Sequence, residues 1–143
     1  MLAEGDDPHD PIVDAARAIL DGHIVLSRRI AEAGRYPAID VEASVSRVMH
    51  DIVPPAQLEL ARRLRQATAT YENNRDLIAI GAYQRGSDPR IDSAIARWPA
   101  IEAFLRQDMH ERVDLANSVA ALGSTMAETA APADTAKPKG TAK

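Results

Sequence analysis

Apolar residues recur at helical spacing through the second half of the chain. Leu60, Leu64, Ala67 and Tyr71 are 4, 3 and 4 positions apart, which is one face of a helix. Arg62, Arg63 and Arg65 fall mostly beside that face and predict a solvated helix side, with an acidic partner as the alternative. The stretch "VPPAQ" (53–57) predicts the start of this helix, because consecutive prolines cannot sit inside a helix but can begin one. "DLIAIGAY" carries the apolar pattern on to Gly81. "QRGSDP" reads as a turn, with Asp88 as the side-chain cap and Pro89 as the first helical residue. Ile91, Ile95 and Trp98 form the next face. Pro99 predicts the start of another helix, with Ile101, Phe104 and Leu105 inward, and Val119, Leu122 and Met126 predict a last, weaker one. Beyond it, "AETAAPADTAKPKGTAK" holds no large apolar residue and reads as a disordered tail.

The first third has a different rhythm. Asp10 followed by Pro11 predicts a helix start, Ile12, Ala15, Ala16, Ile19 and Leu20 recur at helical spacing, and Gly22 is the expected stop. "HIVLS" (23–27) is short, apolar and β-branched, the pattern of a buried strand. "RRIAEAG" predicts a short helix ending at Gly34, and the chain is then extended around Pro37, with strand or turn character returning near Val45. A single buried strand would leave backbone groups unpaired, so this third requires partners beyond itself. The expected fold is mainly α: a C-terminal helical bundle over 54–126, preceded over 1–53 by a partial α/β segment with one or two short strands, and followed by a tail over 127–143.

Composition narrows the classes. Aromatic residues are scarce, so Leu, Ile, Val and Ala must build the core, which favours helices packed closely on small side chains. The net charge of −4 argues against general nucleic-acid binding. The chain has no cysteine, which excludes disulfides and thiolate metal sites and is compatible with a reducing compartment. No apolar run approaches the ~18 residues that span a bilayer, and Met1 opens no signal-peptide pattern. His9, His23, His50 and His110 are scattered without i, i+4 spacing, and no metal site is expected. Asp6, Asp7, Asp10 and Asp14 do not match a calcium loop and read as a helix cap with solvated acids.

Several stretches carry a resemblance. "GDDPHDP", "ILDGHIVLSR", "AEAGRYPAID", "SVSRVM", "DLIAIGAYQRGSDPRIDSAI" and "IEAFLRQD" occur in order over about residues 4 to 108. Together they resemble the C-terminal part of the flagellar and type III secretion export ATPases, relatives of the catalytic subunit of rotary ATP synthases, with the flagellar member the nearest likeness. The resemblance implies that residues 1–53 are the end of a RecA-like nucleotide-binding domain and residues 54–126 a helical domain. It implies a cytoplasmic hexamer that hydrolyses ATP with Mg²⁺ at subunit interfaces and promotes protein export. The implied partners are further copies of the chain, the export apparatus, and export substrates or chaperones. Nucleic acid is not among them, and membrane contact is peripheral at most.

Arg47 and Tyr36 are the candidate site residues. By resemblance, "SVSRVM" holds an arginine finger at Arg47 that reaches a neighbouring subunit's nucleotide. A guanidinium suits this role because it is always charged and can bridge phosphate oxygens as charge builds. Its ordinary alternative is a surface ion pair with Glu42 or Asp51. Tyr36 of "GRYPA" is implied to pack on adenine, the alternative being a tyrosine beside Pro37 at a loop edge. Asp21 and Ser27 match the family letters and read as structural, and Trp98 and Phe104 read as core. The departure from the family is a missing phosphate cradle: none of the 7 glycines opens a G-x-x-x-x-G-K-[ST] motif. The chain is therefore expected to bind no cofactor and to be inactive alone, as a fragment, a truncated product or half of a split enzyme. A helical docking or oligomerisation module without nucleotide chemistry is the alternative.

Overall fold

The computed structural model describes residues 11–127. The tail from residue 128 on, the acids Asp6, Asp7 and Asp10, and His9 lie outside the described residues. The order is α1 (Pro11–Ile19), β1 (Gly22–Leu26), α2 (Arg28–Glu32), β2 (Ile39–Ser46), α3 (Met49–Ile52), α4 (Pro55–Ala79), α5 (Pro89–Leu105) and α6 (Leu115–Met126). The described residues are mainly helical, with one two-stranded antiparallel sheet among them formed by β1 and β2.

The three long helices form the core. Ile101 (0% exposed), Leu64, Leu122 and Met126 are buried together, and Leu60, Ala67, Trp98, Phe104 and Leu105 pack around them. The predicted α4 face is thus the one that is covered, and the last helix contributes two of its four central residues. Tyr71 and Trp98 extend the α4–α5 seam as a stacked pair, with centroids 3.9 Å apart and planes within 7°. Thr68 is also buried, and its hydroxyl donates to the Leu64 carbonyl at 3.0 Å, so this polar atom is not stranded.

Helix ends follow local chemistry. Asp88 caps α5 by accepting from the Arg90 amide at 2.8 Å, and Asp114 caps α6 by accepting from the Asn117 amide at 2.8 Å. Gly34 and Gly81 lie just beyond helix ends at φ 74° and 71°, the left-handed region where a side chain is strained.

Four expectations about the elements need correction. Pro99 does not begin a helix, because α5 runs through it from Pro89 to Leu105. An internal proline removes one hydrogen bond and costs about 3 kcal/mol. Here the ring is exposed, while Trp98 and Ile101 on either side are held against neighbouring helices, and this packing keeps the helix unbroken. Gly22 is not a helix stop but the first residue of β1. The strand requires glycine there, since a Cβ would lie 2.6 Å from the Val45 carbonyl oxygen. β1 is not buried: Ile24 is 72% exposed and Leu26 69%. Its partner strand β2 begins at Ile39, earlier than the pattern near Val45 indicated.

The hairpin is irregular. Leu26 pairs with Ile39 and Val25 with Asp40, but His23 pairs with Val45, so β2 carries extra residues between its two paired ends. Asp40 Oδ1 accepts from the amides of Glu42 and Ala43, each at 3.0 Å, and folds this bulge. The Val25 amide finds the Ser44 hydroxyl at 3.0 Å in place of a carbonyl.

Candidate functional site

The two candidate residues sit at opposite ends of the hairpin. Tyr36 precedes β2 and Arg47 follows it. The structure does not bring them together.

Arg47 is exposed, yet its guanidinium is engaged. It donates from Nη2 to the Arg17 carbonyl at 3.0 Å and from Nη1 to the Ala18 carbonyl at 3.2 Å. Its amide donates to the Asp21 carbonyl at 2.7 Å. A cation therefore closes the carbonyl end of α1, where the helix dipole is negative. Neither Glu42 nor Asp51 pairs with it; Asp51 instead meets His50 at 3.3 Å. A guanidinium has five N–H donors. The two bonds above leave three of them for a further acceptor.

Arg65 holds the strand that leads to Arg47, a role the sequence did not reveal. Its Nη2 donates to the carbonyls of Glu42, at 3.1 Å, and Ser44. This half-buried side chain ties the bulge of β2 to α4, correcting the expectation of a solvated arginine. Arg62 remains exposed and pairs with Glu59 at 2.6 Å. Glu42 lies beside the clamp. Partial burial raises its carboxyl pKa, Asp40 and Glu72 add repulsion, and Arg29 and Arg65 partly oppose the shift. The signal available in sequence was only an arginine on the α4 flank. The bulge that presents carbonyls to it depends on strand pairing.

Tyr36 is 57% exposed. Its carbonyl accepts from the Gln107 amide at 2.9 Å, which ties the turn before β2 to the segment after α5. An open cleft there is lined by Tyr36, Pro37, Arg106, Gln107 and Met109. This exposed residue thus stands at a partly apolar surface, which suits stacking of a flat base.

The other singled-out residues have local roles. Asp14 pairs with Arg17 at 3.7 Å. Ser27 stands at the N-cap of α2 without a side-chain capping bond, and Asp21 contributes its carbonyl to Arg47. Trp98 and Phe104 pack at the edge of the core. Among the described residues, no group of three or more His, Asp or Glu side chains is placed to hold a metal, and no helix is long and apolar enough to cross a membrane.

Comparison with known proteins gives this arrangement a family. The model of the type III secretion (EscN) ATPase C-terminal domain matches residues 53–124. The chain belongs to this ATPase family. The nucleotide-binding domain model of the ATP synthase alpha/beta family matches residues 1–46, the hairpin part. The flagellum-specific ATP synthase of Salmonella typhimurium (strain LT2) is 55% identical over 122 residues, covering 85% of this chain and 27% of that protein. The assembled ATPase EscN of the enteropathogenic E. coli type III secretion system superposes with a TM-score of 0.83 at 41% identity, over 87% of this chain and 30% of that one. EscN in complex with its central stalk EscO gives a TM-score of 0.76 at 41% identity, over 80% of this chain and 28% of that one. The chain thus spans about 27% of its flagellar relative's length. The mainly helical fold with its antiparallel hairpin is shared with the part of EscN that this chain matches.

Proposed function

We propose that this chain supplies the C-terminal part of a flagellar or type III protein-export ATPase. In this reading the enzyme is a cytoplasmic hexamer that couples ATP hydrolysis to protein secretion. Residues 1–53 end the RecA-like nucleotide-binding domain, and residues 54–126 form the helical domain. The observation that carries the reading is the match of the EscN-type C-terminal domain over 53–124, together with 55% identity to a flagellum-specific ATP synthase. The assembled state of EscN and its complex with a stalk support an oligomer with a stalk partner. Export substrates or chaperones complete the partners.

Arg47 acts in trans on a neighbouring subunit's nucleotide, and Tyr36 packs on adenine. Exposure and three uncommitted donors support the finger, and the exposed ring above its cleft supports the base contact. Within this chain Arg47 also secures α1, so reaching a neighbour requires either its remaining donors or release from Arg17 and Ala18. The sequence contains no G-x-x-x-x-G-K-[ST] loop. Tyr36 suits the base and Arg47 the outer phosphate oxygens of a nucleotide, but the sequence has no motif to cradle the phosphates or hold Mg²⁺, which in this reading are held by other polypeptide.

The test replaces the matching part of the Salmonella relative with this chain and measures ATP turnover. Arg47→Ala is expected to lower kcat by roughly 10³–10⁵ with little change in nucleotide affinity. Tyr36→Ala is expected to raise KM for ATP more than it lowers kcat. Unchanged turnover in the Arg47 variant removes the finger, and the 143-residue chain alone is expected to show no hydrolysis. The second reading, a non-catalytic docking or oligomerisation module, draws on the helical unit's closed core of Leu64, Ile101, Leu122 and Met126. It predicts that residues 54–126 bind partners as well as the whole chain does.

A further inference from the structure

Arg35 is out of keeping with its surroundings. It is only 8% exposed, yet its guanidinium has no carboxylate or carbonyl partner among the described residues. Thr68, the other buried polar side chain among them, is satisfied within the protein. Among the described residues no side-chain nitrogen is both fully buried and unpartnered, so the N–H donors of Arg35 that meet no protein group open onto the space before them.

That space is a cleft of about 120 Å³ between α2, α4 and α5. Arg35, Tyr71 and Trp98 line it, with Arg29, Arg75, Glu72 and Glu102 also on its wall. The carboxylates are already committed: Glu72 meets Arg29 at 3.2 Å and Arg75 at 3.8 Å, and Glu102 meets Arg106 at 3.4 Å. Positive charge is therefore in excess, and the unmatched cation is the innermost one. A water occupies roughly 30 Å³. The cleft accordingly has room for a few waters or one compact anion. A guanidinium fork matches a tetrahedral oxoanion in two parallel bonds, which an array of waters does not reproduce.

We propose that this cleft is a binding site for a phosphate-type oxoanion, with Arg35 as its anchor and Arg29 and Arg75 at its mouth. The site is separate from the Tyr36 cleft and from Arg47, and it does not depend on the ATPase reading. It lies where α2 of the hairpin unit meets the helical unit, so an occupied site bridges the two.

Trp98 is the chain's single tryptophan and lines the cleft, so its fluorescence reports occupancy. The whole 143-residue chain is titrated with inorganic phosphate at ionic strength fixed with sodium chloride. A saturable fluorescence change is expected, at least tenfold weaker in affinity for Arg35→Gln and several-fold weaker for Arg75→Gln. Glu102→Gln, which removes a competing negative charge at a half-exposed position, is expected to tighten binding several-fold. Should Arg35→Gln lose its helical circular dichroism, the Glu102 variant decides the outcome. A parallel titration with phenyl phosphate separates sources. Binding of phosphate alone supports a free anion, and binding of both supports a phosphoryl group carried on a larger molecule. No saturation, an equal response to chloride, or affinities unmoved by Arg35→Gln and Glu102→Gln would overturn the proposal.

Discussion

The two halves of the chain use similar apolar residues to opposite effect. In α4–α6, Leu64, Ile101, Leu122 and Met126 close on one another. In the first third, Ile12, Ile19, Ile24 and Leu26 are all exposed, Ile19 to 83%. The buried residues described in that third, Ile30 and Arg35, belong to α2 and the turn after it, where the hairpin unit meets the helices. The helical unit thus has a core of its own, while the hairpin unit has regular local structure without one. Backbone pairing and capping shape a segment, but burial of apolar area supplies most of the free energy that holds it.

This contrast can be broken most sharply in the core. Ile101→Ala should cost about 2–5 kcal/mol, because the residue is fully enclosed and its neighbours come from three helices. Urea unfolding followed by circular dichroism measures the loss. A cost under about 1 kcal/mol would mean that the helical unit is loosely packed and the contrast false. Native-state hydrogen exchange tests the same difference without mutation. Amides of α4, α5 and α6 are expected to be protected close to the global limit, and those of α1 and β1 far less. Equal protection would show the two units unfolding as one.

Ile24→Ser sharpens the comparison from the other side. The same kind of apolar loss, made at an exposed strand position, should shift the stability of this chain by no more than about 0.5 kcal/mol. A larger loss would reveal a core in the hairpin unit.

The smallest expected effects are electrostatic, one in each half. Asp88 caps α5, and its hydrogen bonds with Arg90 hold its carboxyl below the usual value of 3.8. A lowered carboxyl contributes stability above its unfolded value that is lost as pH falls through the folded one. Asp88→Ala should therefore lower the melting temperature at neutral pH, and the difference should fade only as pH falls below 3.8 and through the lowered folded value. Glu42 has the opposite sign: partial burial raises it from 4.5, so its charged form opposes folding. Glu42→Gln should slightly stabilise the chain at neutral pH, with the gain fading as pH falls through the raised value. Thermal melts across pH check both, and a reversed sign at either position would refute its stated cause.

The helical half was legible in the sequence because its signals are local and mutually consistent. The spacing of Leu60, Leu64, Ala67 and Tyr71 marked the covered face of α4, and Asp88–Pro89 marked the start of α5. Pro99 was misleading because helix-breaking is a local cost, whereas the packing of Trp98 and Ile101 that overrides it is not. In the hairpin, the strand character of residues 23–26 was readable from β-branching, but its exposure was not. The bulge between Asp40 and Ser44 arises from register with β1, and only that register presents the carbonyls that Arg65 grips.

The same division applies to function. The ordered motifs determined the family, and the residue types at 36 and 47 determined what chemistry each can offer: a flat ring and a permanent cation. Tertiary structure alone decided that the Arg47 guanidinium rests on the carbonyl end of α1 and that Arg35 is enclosed without a partner. The physical reason is distance along the chain. Arg47 meets residues about thirty positions earlier, and Arg35 shares its cleft with α4 and α5. Residue type fixes what a side chain can bind, but only the packed chain fixes what stands in front of it.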